Sequence, residues 1–266
     1  MKNSQLAVVV FSCDKYADLW PIFFRCFFDF WQDCPYNIYL IANEKKYQDS
    51  RVTTVLSGND TDWSSSVRRS LEQVPERNYL FFFEDILLAS KVDSAKFKAI
   101  FDFYLTENVN YLRLRPNPKP TIKYNDQYGV ISAGDMYRTS LVLTVWKKEV
   151  FFDLLKDGES AWQFEICGSI RSDKFDQFYS TWKSFFNYIH VVERGKWINA
   201  EYKKLTRLGY EVQLQRPFLY QSWAQEKVLS TLLRLKHWFI NLFPASRQRR
   251  VIKLFGGVKR IILFKK

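Results

Sequence analysis

Histidine is nearly missing from this chain: its 266 residues include two, His190 and His237. A Ser/His hydrolase or a histidine-ligated metal enzyme is therefore not expected. Glycine and proline are scarce, at 9 and 8, which argues against a disordered chain or a repeat array. The four cysteines, Cys13, Cys26, Cys34 and Cys167, show no C-x-x-C spacing. They read as reduced thiols of a cytosolic protein, with no zinc site implied. Neither G-x-x-x-x-G-K-[ST] nor G-x-G-x-x-G occurs, so a P-loop or dinucleotide-binding fold finds no support. No apolar run reaches the roughly 18 residues of a membrane span. The first apolar run, Leu6 to Phe11, is shorter than a signal-peptide core and suits a strand.

Aromatic residues are plentiful, with 24 Phe, 15 Tyr and 9 Trp. The net charge of +12 is unevenly spread. Residues 226–266 hold 11 Lys or Arg against 1 acidic residue, whereas residues 1–225 hold 29 basic and 27 acidic ones. The chain thus divides into a nearly neutral body, 1–225, and a basic tail, 226–266. In the tail, Leu232, Leu235, Trp238, Phe239, Leu242 and Phe243 share one helical face, and Pro244 ends it. Val251, Leu254, Phe255, Val258, Ile261 and Ile262 form a second apolar face flanked by Lys253, Lys259 and Arg260. Basic amphipathic helices of this composition lie on anionic membranes. The competing reading packs these faces on the body or on another subunit. The faces are too continuous for a phosphate-binding arm, so nucleic acid is not an expected partner.

The body alternates strands and helices. Leu6–Phe11, Asn37–Ala42, Val52–Leu56, Tyr79–Phe83, Tyr111–Leu114, Leu141–Trp146 and Tyr188–Glu193 read as strands. Helices are expected from Asp18-Leu19-Trp20-Pro21 onward, with Pro in the first turn, and over Ser65–Gln73, Ser94–Thr106, Lys148–Leu155 and Asn199–Leu208. Gln213 to Tyr220 offers no pattern. This alternation predicts an α/β fold with a mostly parallel sheet and helices on its faces.

The Phe-rich strand is the pivot, because Tyr79-Leu80-Phe81-Phe82-Phe83 runs directly into Glu84-Asp85. Five apolar residues in a row suit a strand buried on both faces. Open α/β sheets bind ligands at the carboxyl ends of their strands. Two carboxylates there are a plausible seat for a divalent cation carrying a diphosphate. The plainer reading is that they open a helix, where acidic side chains suit the dipole. His190, inside an apolar strand, reads as a packed core residue.

The strand ending in Glu84-Asp85, the upstream run Asp60-Thr61-Asp62-Trp63-Ser64-Ser65-Ser66-Val67-Arg68-Arg69, and Trp162-Gln163-Phe164-Glu165 together resemble the GT-A class of nucleotide-sugar-dependent glycosyltransferases. The likeness is strongest to bacterial enzymes of lipopolysaccharide or capsule synthesis and spans roughly residues 5–215. It implies that Ser12, Cys13, Asp14 and Tyr16 hold the nucleotide base, that Asp60, Trp63 and Arg68 complete the pocket, and that Glu84 and Asp85 meet the diphosphate. A divalent metal, magnesium or manganese, is implied at Asp85. The class motif is Asp-x-Asp whereas this chain has Phe83-Glu84-Asp85, so the motif's first carboxylate is absent. An inverting transfer needs a base for the acceptor hydroxyl. The resemblance assigns that role to Glu165, with Trp162 stacking on the acceptor; the plainer reading makes Ser160–Glu165 an ordinary capped helix start. A cation for the leaving diphosphate points to Lys196 or Arg138. The expected activity is transfer of a sugar from a nucleotide-sugar to a lipid-linked or polysaccharide acceptor, on the cytoplasmic face of the cell membrane. The alternatives are a catalytically degenerate scaffold of a polysaccharide-assembly complex and a nucleotidyl or phosphosugar transferase.

Overall fold

The computed structural model describes residues 3–59, 62–212 and 215–219. The basic tail, 226–266, for which membrane association is expected, and Asp60 lie outside these residues.

The first half of the body is a run of parallel strands. These are β1 (Asn3–Phe11), β2 (Tyr36–Ala42), β3 (Val52–Leu56) and β4 (Asn78–Phe83), joined by α1 (Trp20–Phe30) and α2 (Trp63–Glu72). Then come β5 (Ile86–Leu88), α3 (Ser94–Thr106), β6 (Tyr111–Arg113), β7 (Ile122–Lys123), β8 (Tyr128–Val130), β9 (Thr144–Lys147) and α4 (Lys148–Leu154). Short helical turns over 161–174 include α5 (Ala161–Gln163) and α6 (Ser169–Arg171). They lead to β10 (Phe178–Thr181), β11 (Tyr188–His190), β12 (Val192–Glu193), β13 (Lys196–Trp197) and α7 (Asn199–Arg207).

Nine strands form one sheet in the order β3-β2-β1-β4-β9-β6-β10-β8-β7. The α/β class is as the alternation predicts. The parallel character is concentrated in β3-β2-β1-β4 and in the β6-β10 pair, while β9 and β8 run antiparallel to their neighbours. β5 pairs with β11, and β12 with β13, in two small antiparallel ribbons.

Leu6 to Val10 are fully buried because helices cover both sheet faces. Alternation along β4 sends Leu80 and Phe82 into one core and Tyr79 and Phe81 into the other. Phe82 meets Phe23 and Phe27 of α1, with ring centroids 6.1 and 5.8 Å apart. On the opposite face Phe81 meets Phe151 of α4 at 4.9 Å. Each such phenyl group contributes about 1.5–3 kcal/mol by leaving water, so the aromatic wealth of the sequence is spent on two layers. α1 starts at Trp20, two residues later than expected, because Asp14–Leu19 form a tighter helical turn, and Pro21 stands in its first turn as expected. α2 starts two residues earlier than expected, because the Asp62 carboxylate caps it by accepting from the Ser65 N–H.

The order 3-2-1-4 places a topological switch point between β1 and β4: the chain leaves β1 toward β2 and β3, then returns to β1's other side. At such a point the loops beyond the strand ends splay apart and leave a crevice.

Candidate active site

The crevice has two lips. One is the loop after β1. The Ser12 hydroxyl accepts a hydrogen bond from Trp20 Nε1–H (2.7 Å), and Cys13 precedes a tight helical turn, Asp14–Leu19. The Asp14 carboxylate accepts from the backbone N–H groups of Asn43, Glu44 and Lys45 at 3.1–3.2 Å, while its own N–H donates to Asn43 Oδ1 (2.9 Å). Asp14 thereby ties the β1 loop to the end of β2. Its place in the predicted set is that of a brace shaping the crevice. Tyr16 stacks under the guanidinium of Arg216, 4.3 Å from the ring centre. Burial, and then the charge of Glu84, raise the Tyr16 pKa.

The other lip is the end of β4. Glu84 is buried. Burial and then the adjacent Asp85 hold its carboxyl well above the ordinary range, partly offset by Arg216 and by a hydrogen bond from Ser12. Asp85 faces His190: Nε2 and Oδ2 are 3.2 Å apart. His190 is therefore not the packed core residue that its apolar strand suggests. Its side chain is 43% exposed, because β11 is a ribbon strand on β5 with one face toward the crevice. Burial pulls the imidazole pKa down, but the hydrogen bond and charge of Asp85 outweigh this and leave it raised.

Among the described residues, no group of three or more His, Cys, Asp or Glu side chains is gathered as a ligand set. Asp85 Oδ2 and His190 Nε2 are nonetheless as far apart as two adjacent ligands of one octahedral ion, roughly 3 Å for bonds of about 2.1 Å. A divalent cation at this point would meet these two side chains by replacing the proton between them, with phosphate and water filling its remaining positions.

Glu165 faces the segment that leads into β9. Its Oε1 accepts from the Leu141 N–H (2.8 Å) and the Ser140 hydroxyl (3.2 Å), in the segment leading into β9. The strand expected to begin at Leu141 begins at Thr144, because Leu143 adopts a left-handed φ of 54°. The turn so made aims the Leu141 N–H at Glu165. Residues Phe164–Gly168 form a π-helical turn, a local widening frequent at functional sites. Hydroxyls bond its carbonyls: Ser169 donates to the Glu165 oxygen (2.6 Å) and Thr139 to that of Phe164 (3.2 Å). A side chain at Gly168 would press on Thr139, with a Cβ 3.2 Å from its Oγ1. Burial raises the Glu165 pKa despite these hydrogen bonds and the charges of Arg113 and Arg115. The helix cap expected at Ser160 is present, as a capping box with Gln163.

Trp63 packs between Phe11 at the end of β1 and Phe164 beside Glu165, at 5.9 and 5.6 Å. Trp162 is 54% exposed and meets Tyr137 edge-on at 6.1 Å, so an aromatic platform stands next to Glu165. Lys196 is exposed on the β12–β13 ribbon, whose Arg194-Gly195 turn has φ of 52° and 75°. A Cβ at Gly195 would sit 3.7 Å from Arg216 and 3.9 Å from Tyr16, which places this ribbon against the β1 lip.

Two predicted cations are turned away from the crevice. Arg138 is buried and donates to the carbonyls of Ile131, Ser172 and Phe175, with its guanidinium 4.0 Å from the Phe178 ring centre. It braces the 131–178 loops and is not directed at a phosphate. Arg68 donates to the Leu155 carbonyl (3.0 Å) and pairs with Asp157 (3.6 Å), clamping α2 to the end of α4.

Two other cations take their place. Arg216, from the stretch without pattern, forms a bidentate pair with Asp18 (2.7 and 2.5 Å) and donates to the Lys15 carbonyl (2.6 Å). Arg115 lies two residues beyond β6, 5.4 Å from the Tyr188 ring centre, and its charge acts on both Glu165 and His190. The prolines after Arg115 mark the end of a strand, but neither side chain carries a sequence signal of its own.

No protein-family model matches the chain, and neither does any curated protein. Among solved structures, S. aureus TarS 1–349 superposes with a TM-score of 0.47 at 12% identity, over 71% of this chain and 59% of that one. The same fragment in complex with UDP-GlcNAc gives 0.45 at 13% identity, over 71% and 57%. HddC from Yersinia pseudotuberculosis gives 0.49 at 11% identity, over 77% of this chain and 99% of its own. The chain therefore spans about three fifths of the TarS fragment and aligns with nearly all of HddC. These are likenesses of fold outline, and the chemistry assigned to the crevice rests on its own residues.

Proposed function

We propose that the protein is a glycosyltransferase that moves a sugar from a nucleotide-sugar donor to a glycan or glycolipid acceptor with inversion. The observation that carries this reading is the convergence of three unlike parts on one sheet edge. These are a loop suited to a nucleotide at the β1 end, the Asp85–His190 pair beyond β4, and a desolvated carboxylate, Glu165, held at the β9 end.

In this reading Ser12, Cys13 and Tyr16 contact the nucleotide, with Trp63 closing the pocket floor. Asp85 and His190 would hold a divalent cation, which would supply positive charge to the diphosphate. Lys196, on the ribbon against the β1 lip, and Arg115 add positive charge at the point of departure. Buried Glu84 hydrogen-bonds the donor sugar. Glu165 Oε1 is anchored to Leu141 and Ser140, so Oε2 takes the proton of the acceptor hydroxyl as it attacks the anomeric carbon. A base of raised pKa is the better proton acceptor near neutral pH. Trp162 and Tyr137 offer the apolar surface on which an acceptor ring stacks. The basic tail, 226–266, keeps the enzyme at an anionic membrane bearing lipid-linked acceptors.

Isothermal titration with UDP, GDP and CMP, with and without manganese, tests the reading. One nucleotide is expected to bind in the micromolar range and to bind more tightly with the metal. Failure of all three refutes it.

A further inference from the structure

A cavity of about 600 Å³ lies between the first turns of α3 and the segment 181–187. Its volume is that of an ordinary small-molecule site. Trp182, Phe185 and Tyr128 line it, and Lys91 and Lys183 stand at it, both exposed. The indole of Trp182 is fixed by its Nε1–H donating to the Asn125 carbonyl (3.0 Å). The two acidic residues of the cavity are already matched, Asp93 by Lys96 (3.0 Å) and Asp126 by Lys123 (2.6 Å). Lys91 and Lys183 have no ion-pair partner among the described residues, so the cavity carries an uncompensated positive charge over an aromatic wall.

The cavity lies at the same end of the sheet as the crevice, because β10 ends at Thr181 beside the end of β6 and the start of β9. Its wall at Phe185 is pinned by the N–H of that residue to the Leu114 carbonyl (2.9 Å). The next residue, Arg115, acts on both Glu165 and His190. Segment 181–187 then runs straight into β11, which carries His190.

We propose that this cavity is an outer acceptor subsite that holds an anionic sugar of the acceptor, a carboxylated or phosphorylated residue, while the reacting hydroxyl lies at Glu165. The inference rests on the transferase reading and adds the acceptor's chemical class. The apolar ring faces of a sugar suit an indole and a phenyl wall, and two lysines without partners suit a carboxylate or phosphate. The chain's own tail is the wrong occupant: residues 226–266 carry 11 basic residues and 1 acidic one and would be repelled.

The test is titration of the full-length protein with trigalacturonate, with glucose 1-phosphate and with neutral maltotriose, alongside UDP, GDP and CMP. The same series is run on a Lys91→Glu/Lys183→Glu variant shown to be folded by circular dichroism. At least one anionic probe is expected to bind more tightly than maltotriose, and trigalacturonate against glucose 1-phosphate separates carboxylate from phosphate. The variant should weaken that anionic probe by roughly tenfold or more and leave nucleotide binding unchanged. Equal binding of maltotriose, no binding of either anion, or an anion affinity that survives charge reversal overturns the subsite. Failure of every nucleotide to bind counts against the transferase reading and is read separately from the saccharide arms.

Discussion

Arg216 holds a segment with no hydrophobic pattern against the β1 lip, so removing it should both loosen the fold and disturb the crevice. Its guanidinium makes a bidentate pair with Asp18 and a further bond to the Lys15 carbonyl. The two side chains are 10% and 12% exposed, which is buried enough to leave an orphan charge when one partner is lost. Breaking such a pair costs about 3–5 kcal/mol; with this residual exposure the lower end applies, about 3 kcal/mol. For a chain of this size each kcal/mol lowers Tm by roughly 2–4 °C, so Arg216→Ala should lose about 6–12 °C. Asp18→Ala should do the same. The double variant Asp18→Ala/Arg216→Ala should be no less stable than either single one, since neither charge is then stranded. Arg216→Lys should rescue only part, because one ammonium cannot make the fork. Thermal unfolding followed by circular dichroism measures all four. If the single variants lose under about 1 kcal/mol, or the double variant loses the sum of both, the pair is not the clasp proposed here.

The remaining expectations are simpler. Glu165→Gln should lower kcat by roughly 10²–10⁴-fold with nucleotide affinity unchanged, measured as sugar transfer and as nucleotide titration. Burial raises the Glu165 pKa, so the acid limb of the rate profile should lie above the ordinary carboxylate range. The same shift means that stability falls as pH rises from the unfolded pKa through the folded one, and Glu165→Gln should remove that loss in denaturant melts at several pH values. Asp85→Asn and His190→Gln should each weaken manganese-dependent nucleotide binding by about 10- to 100-fold, while the metal-free affinity stays within a few-fold; equal loss with and without metal would count against these two as its ligands. Arg138→Ala should destabilise by about 3 kcal/mol, because Ser172 and Phe175 lose their buried donor, yet leave nucleotide affinity intact. A selective loss of nucleotide binding would return Arg138 to the site.

Local pattern alone determined the strands of the parallel half, the helices packed on them, and the placing of Glu84-Asp85 at a strand end. Each of these follows from burial with a short period along the chain. Ser94–Thr106 and Val52–Leu56 come out at the bounds expected of them, because period and cap agree there. Short strands whose pairing is with distant segments, such as Phe178–Thr181 and Ile122–Lys123, had no local signal, since a run of two to four residues in a strand is stabilised by its neighbours. Only the tertiary structure decided which charges face the crevice. It turned Arg138 and Arg68 onto backbone carbonyls, brought His190 across 105 positions to Asp85, and seated Arg216 on Tyr16. A side chain's periodicity tells whether it is buried, but the direction of a guanidinium or imidazole is set by contacts between segments far apart in the chain, and those exist only once the sheet has assembled.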